Sequence, residues 1–138
     1  RNRPPDDALP WMLQDTRALQ RVPQDSIWTR IIDVPTILES RAYSSEGELT
    51  IEVIDEVDGS AAGTYVLSSS RDGATCVATD NSPDLTMNVA MLGSIAFGGT
   101  RPSVLERSGL IDVNIAGALS KADGIFATQK APWTVVDF

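Results

Sequence analysis

Histidine is absent from the 138-residue chain. With it go the Ser-His-Asp and Cys-His arrangements, the helical zinc motifs and any imidazole acid–base pair. The single cysteine, Cys76, excludes an internal disulfide and a multi-cysteine zinc site. A lone thiol of this kind reads as a small buried apolar side chain in a reducing compartment. No apolar run approaches the roughly 18 residues a membrane helix needs, and no signal-peptide pattern is visible. Basic residues are scarce: 11 Lys and Arg stand against 19 Asp and Glu, a net charge of −8. That balance argues against nucleic acid, whose affinity comes mainly from Lys and Arg on phosphates. It suits a cationic small molecule, and it equally suits plain solubility.

What remains is a chain with 42% hydrophobic residues, enough for one domain with a core. The opening on Arg1, in "RNRPPDDALP", suggests a fragment of a longer protein or a processed chain. Residues 1–25 carry Pro4, Pro5, Pro10 and Pro23 and read as a connection. "SIWTRIIDV" from Ser26 reads as a strand, and Asp33 before Val34-Pro35 as the start of a short helix over "PTILESRAY". "ELTIEVID", "TYVLSSS" and "ATCVATD" form an antiparallel meander with Gly-bearing turns. In the first of these, Leu49, Ile51 and Val53 alternate with a wetter face. "DLTMNV" is a short strand leading into a helix over "AMLGSIAF". Ser103 is placed to cap a helix over "VLERSG", ending near Gly109. "ALSKADGIFAT" is a further helix, and "PWTVVDF" a last strand. The expectation is an α+β fold: an antiparallel or mixed sheet of about five strands with helices packed on it.

Candidate motifs fail one by one. "GSIAFGGT", Gly93 to Thr100, approaches the phosphate-binding loop pattern, but Gly99 stands where the lysine must be, so a helix ended by Gly98-Gly99 is the better reading. "DEVDGS" is not a calcium loop, because counting back from Gly59 the first ligand position falls on Ile54. Ser120 and Lys121 are adjacent rather than spaced as S-x-x-K. The coenzyme A loop [QR]-x-x-G-x-[GA] is missing, "RDGA" at Arg71 being one residue too short. Trp11, Trp28 and Trp133 are assigned to core or interface. Residues alone point to an α+β accessory or binding domain without a complete active site.

Several stretches in one order resemble a known family. "LPWMLQDTRAL", "IWTRIIDVPTILESRAY", "ELTIEVID", "SPDLTMNVAMLGSIAFGGTRPSVLERSGLI" and "GALSKADGIFATQKAPWTVVDF" are similar to the C-terminal region of the Eis (enhanced intracellular survival) N-acetyltransferases. The most specific parts are W-x-R-x-x-D-V-P (Trp28 to Pro35), the D-L…L-G…G-G run, and A-P-W a few residues before a terminal Phe. The resemblance implies a sterol carrier protein type 2-like domain over 26–138, with 1–25 as the linker from a preceding acetyltransferase domain. It implies a bacterial cytoplasmic N-acetyltransferase that uses acetyl-CoA on aminoglycoside amines and assembles as a hexamer. The acetyl-CoA site and the tyrosine general acid would belong to the N-terminal acetyltransferase domain of the same protein, which also has a central acetyltransferase-like domain.

The same resemblance bears on the apolar ending "KAPWTVVDF". In the family the protein's own C-terminal carboxylate reaches the active site as base, a role that falls by position on Phe138. Asp137 would add charge to a pocket for polycationic sugars. Asp33 is a further candidate for that wall, with helix capping as its alternative role. Two other functions stay open: a lipid- or sterol-binding carrier, and a purely structural oligomerisation domain. With three Phe and two Tyr, the expectation is a filled core, with Leu92, Ile95 and Phe97 packed against the sheet.

Overall fold

The computed structural model describes residues 3–25 and 27–135. A five-stranded mixed sheet forms its frame: β1 (Gly47–Ile54), β2 (Gly63–Ser70), β3 (Gly73–Ala78), β4 (Leu85–Asn88) and β5 (Ile111–Val113), in the order β3-β2-β1-β4-β5. β1 is antiparallel to β2 and parallel to β4, and the outer pairs β2–β3 and β4–β5 are antiparallel. Side chains alternate across a pleated strand, so the expected division of β1 holds. Leu49, Ile51 and Val53 are buried with Tyr65, Leu67, Cys76, Leu85, Met87 and Ile111. The opposite face mixes polar side chains, hydrogen-bonded across strands, with the exposed apolar residues Ile54 and Val77. Ser68 donates to Glu48 Oε2 at 3.1 Å, Thr86 to Glu52 Oε2 at 2.9 Å, and Asn114 to Thr86 Oγ1 at 3.0 Å.

Four short helices cover the apolar face: α1 (Val34–Glu39), α2 (Val89–Ala96), α3 (Pro102–Arg107) and α4 (Ala118–Phe126). Their inward residues, among them Leu38, Leu92, Ile95, Leu105, Ala122, Ile125 and Phe126, join the same cluster as the strands. α1 lies on β3, α2 on β4, and α4 against α3 and β1. The fold is α+β. Cys76 lies in the core at 2% exposure, and burial, aided by Glu39 and Asp33, pushes its thiol up to about 12. The helix over "AMLGSIAF" does end on the glycine pair: Gly98 has φ +78°, the left-handed region that suits glycine.

Four expectations need correction. Residues 27–33 form no strand; Ile31 is buried, but Ile27, Trp28 and Ile32 are exposed and no strand pairs with them. High β-propensity reflects side-chain packing on a sheet, and without a partner it has nothing to act on. Residues 132–135 are likewise outside the sheet, and 136–138, the rest of that predicted strand, lie outside the described residues. The three-residue β5, hidden in "LIDVN", takes the edge position beside β4 instead. Ser103 does not cap α3: Arg101 is the N-cap residue, without a side-chain bond, and the Ser103 N–H donates at 2.9 Å to Asp123 Oδ1 of α4. Phe97 is not a core residue but is 46% exposed, because the turn that ends α2 points it outward, while Leu92 and Ile95 are fully buried as expected.

Of the two roles expected for the tryptophans, core or interface, the first does not apply. Trp11 and Trp28 are more than four-fifths exposed and Trp133 nearly half, so none is a core residue of this domain.

Leu92→Ala should therefore destabilise the fold by about 2–5 kcal/mol, the usual result of emptying a core leucine site, whereas Phe97→Ala should cost under about 1 kcal/mol. Urea denaturation of the two variants checks this. The Cys76 thiol should be inert to iodoacetamide in the native state and react at the rate of a free cysteine in urea, a contrast mass spectrometry reads directly.

Candidate functional site

The segment Trp28 to Pro35 connects the first residues of the chain to α1, and its motif residues do separate jobs. Arg30 reaches back to the β1–β2 connection, with Nη2 2.7 Å from Asp58 Oδ1 and 3.2 Å from Asp55 Oδ2. The Asp55 side chain is fully buried and also accepts from the N–H groups of Ala61 at 3.2 Å and Val57 at 3.1 Å. The Ala61 N–H is the main reason its carboxyl lies below the ordinary value, with Val57 and Arg30 adding to it against the opposing effect of burial. Asp33 is the N-cap of α1: its Oδ1 accepts from the Thr36 N–H at 2.9 Å. That bond, followed by the Thr36 side chain, holds the Asp33 carboxyl below its usual value. Val34 is buried and Pro35 sits in the first turn, where its missing N–H costs nothing.

Asp33 stands at a shallow concavity of about 300 Å³ whose walls include Arg30, Ile32, Thr36, Ile37 and Phe97. Phe97 also begins the turn that ends α2, and the next two residues of that turn touch the C-terminal segment. A β-carbon on Gly98 would lie 2.6 Å from Thr128 Oγ1, and one on Gly99 would lie 3.3 Å from Pro132 Cγ. The concavity and the segment leading to Phe138 thus share the turn 97–99. Asp137 and Phe138 themselves lie outside the described residues.

Sequence reasoning missed Phe97 as a lip and the two glycine contacts. The glycine pair was visible, but its consecutive glycines read only as a helix stop. It also missed Asp6, whose Oδ2 accepts from the Ala131 N–H at 3.0 Å across 125 residues of chain. No local pattern announces such a contact. Among the described residues, no group of three or more His, Cys, Asp or Glu could hold a metal ion, and no helix is long and apolar enough to cross a membrane. The concavity is walled mainly by apolar side chains, with one carboxylate, Asp33, engaged as the cap of α1 and one cation, Arg30, held by Asp55 and Asp58.

Fold and site together define an α+β domain, a five-stranded mixed sheet with four α-helices on one face. Comparisons with known proteins agree with that class. The sterol carrier protein domain family matches residues 34–135. An uncharacterized N-acetyltransferase of Streptomyces griseus is 40% identical over 132 residues, 95% of this chain and 32% of that protein. The N-acetyltransferase Eis of Mycobacterium tuberculosis is 33% identical over 136 residues, covering 97% of this chain and 33% of its own length. The crystal structure of Eis1 from Mycobacterium abscessus superposes with a TM-score of 0.84 at 35% identity, over 99% of this chain and 34% of that one. The chain belongs to the sterol carrier protein domain family, in the form carried by Eis-type N-acetyltransferases. It spans about a third of the length of the curated relatives it matches, which therefore hold further domains.

Two outcomes follow from the carboxylates. Asp33 and Asp55 have folded values below the ordinary 3.8, so each contributes stability that is present above that value and lost as pH falls through the lower folded one. The melting temperature should fall steeply below pH about 4, and Asp55→Asn should flatten that fall while lowering stability at neutral pH. At pH 7, Asp33→Ala should lower the melting temperature by about 3 °C or more, while Asp33→Asn, which can still accept the Thr36 N–H, should retain most of it. Calorimetry across pH 2–7 measures both.

Proposed function

We propose that this chain is the C-terminal accessory domain of an acetyl-CoA-dependent N-acetyltransferase acting on aminoglycosides or similar polycationic amines, with residues 1–25 as the linker from a preceding acetyltransferase domain. One observation carries the reading: identity of 33–40% with N-acetyltransferases, Eis among them, over 95% or more of the chain. The net charge of −8 supports a polycationic substrate. The missing coenzyme A loop and the missing histidine agree with acetyl-CoA binding and the general acid lying in other domains of the same protein. The expected assembly is a homo-oligomer, a hexamer by resemblance.

The chemistry assigned to this domain is a proton transfer. A sugar ammonium must lose a proton before its nitrogen can attack the thioester carbonyl. The α-carboxylate of Phe138 takes that proton, directly or through one water; the neutral amine then attacks, and the second proton its nitrogen sheds as the amide forms and the C–S bond breaks passes to water. The departing coenzyme A thiolate receives its proton from the general acid of the acetyltransferase domain. A free α-carboxyl has a pKa of about 3.5, and partial burial in the assembled site would raise it towards a useful range. Asp137 and Asp33 are assigned to the acidic wall that holds the polycation.

The carrier alternative requires room inside the domain. Leu92, Ile95, Ala122, Ile125 and Phe126 are each at most 2% exposed and pack against the sheet. A lipid would have to displace them, at several kcal/mol.

Extending the full-length enzyme by a few residues beyond Phe138, or amidating its terminus, should lower turnover by about 10²-fold or more, the scale of general base catalysis. The isolated chain should show no turnover of acetyl-CoA with an aminoglycoside. An extended enzyme that keeps its rate and only melts earlier would make the terminal residue structural. Saturable one-to-one binding of fluorescent sterols at micromolar concentration would favour the carrier instead.

A further inference from the structure

Residues 127–135 follow α4 without helix or ladder of their own, yet the rest of the chain sets their course at three places. The first is the end of α4, whose last carbonyls have no partner within the helix. Ser45 Oγ donates to the Gly124 carbonyl at 2.7 Å, and Arg41 Nη2 to the Phe126 carbonyl at 3.3 Å. The Arg41 guanidinium also lies over the rings of Tyr43 and Phe126, 4.6 and 5.1 Å from their centroids, a favourable placement for a cation.

The second place is Gly98. Its φ of +78° disfavours other residues, and a β-carbon there would also overlap Thr128, 2.6 Å from Oγ1 and 2.9 Å from Cβ. The third is the crossing at Pro132. Gly99 has no unusual backbone, so conformation does not require glycine there; proximity does, since a β-carbon would crowd Pro132 Cγ at 3.3 Å. One residue earlier, the Ala131 N–H is held by Asp6 at 3.0 Å. Apolar burial is not what holds this stretch, because Trp133 is 45% and Val135 66% exposed. Gly98 and Gly99 leave room for Thr128 and Pro132 to approach closely, and Asp6 ties the Ala131 N–H across the chain.

We propose that the Gly98-Gly99 turn and Asp6 form a seat that aims the C-terminal segment, making them positioning residues for the terminal carboxylate. The proposal rests on the reading of Phe138 as the base. From Pro132 the six remaining residues can reach at most about 20 Å. In this proposal the segment moves with its seat, so that a displacement of about 1 Å there is carried to the carboxylate it leads to. A misplacement of that size costs a reaction on the order of 10²-fold. The seat acts through the segment and touches neither substrate nor the reacting atoms.

The test uses the full-length acetyltransferase with acetyl-CoA and an aminoglycoside. Four variants are compared: Gly99→Val, Asp6→Ala, Asp6→Asn, and an extension beyond Phe138. Gly99→Val should lower kcat about tenfold or more and disturb the acidic limb of the pH–rate profile, with KM for acetyl-CoA and the melting temperature unchanged. Asp6→Ala should act in the same direction by a few-fold, and Asp6→Asn, which keeps an acceptor for the Ala131 N–H, should restore the rate. Fluorotryptophan NMR should show the Trp133 signal, assigned with Trp133→Phe, shifted in Gly99→Val and Asp6→Ala but not in Asp6→Asn. If the extension lowers turnover while Gly99→Val and Asp6→Ala leave kcat and the pH profile unchanged, the seat is overturned and the reading of Phe138 stands. If the extension has no effect, that reading falls and takes the catalytic role of the seat with it. Loss of kcat with earlier melting and an unmoved Trp133 signal would make the turn merely structural.

Discussion

Leu49, Ile51 and Val53 stand on one side of the central strand, and helices α1 to α4 are packed to reach the layer they begin. β1 is paired on both edges, antiparallel to β2 and parallel to β4, so its inward face cannot rotate without breaking two ladders. Each of these side chains gains about 1.5–3 kcal/mol when it leaves water, and the helices supply the cover. The other face carries polar side chains that bond across strands, Glu48 to Ser68 and Glu52 to Thr86. One-sided burial is therefore the constraint from which the layout follows. Helices crowd one face, and the connections are pushed to its margin.

That margin is where the candidate site lies. Val34 and Leu38 anchor α1, which puts the capping residue Asp33 at the surface. Leu92 and Ile95 anchor α2, so the turn at Phe97–Gly99 emerges beside it. Ile125 and Phe126 anchor the end of α4, and the segment beyond it passes over that same turn. Three buried pairs thus bring together an acidic cap, an aromatic lip and an outgoing chain. None of the three surface groups is buried strongly enough to set its own position.

The same packing bears on how a sterol carrier protein domain can serve an acetyltransferase. A carrier keeps an opening between helices and sheet, and here large apolar side chains occupy that layer. Under the proposed reading, the domain contributes a rigid mount and a negatively charged surface, and the chemistry it adds is a single carboxylate delivered by a guided segment. Arg30, held by Asp55 and Asp58, gives the incoming chain a comparable anchor. The incoming chain is tied to the β1–β2 connection, and the outgoing one runs past the turn after α2.

The period-2 alternation of β1, the glycine turns and the caps before α1 and after α2 act over a few residues, and they were legible in the sequence. So were the α+β class and the meander, because local pattern and final environment agree there. Two apolar stretches, at 27–33 and 132–135, misled for a common reason: Ile, Val and Trp report a preference for a packed pleated surface, and only the assembled sheet decides whether a partner exists. "LIDVN" went unread because three residues are too short for a period to show. Asp123 as the cap of α3, Phe97 facing outward, and Asp6 holding Ala131 join residues 20 to 125 positions apart, or depend on the direction of a turn. The sequence by itself determined the alternation, the acidic charge and the family pattern, since each is written in neighbouring residues. Only the tertiary structure decided which apolar residues are covered and where the C-terminal segment runs, because burial and close approach are properties of distant parts brought together.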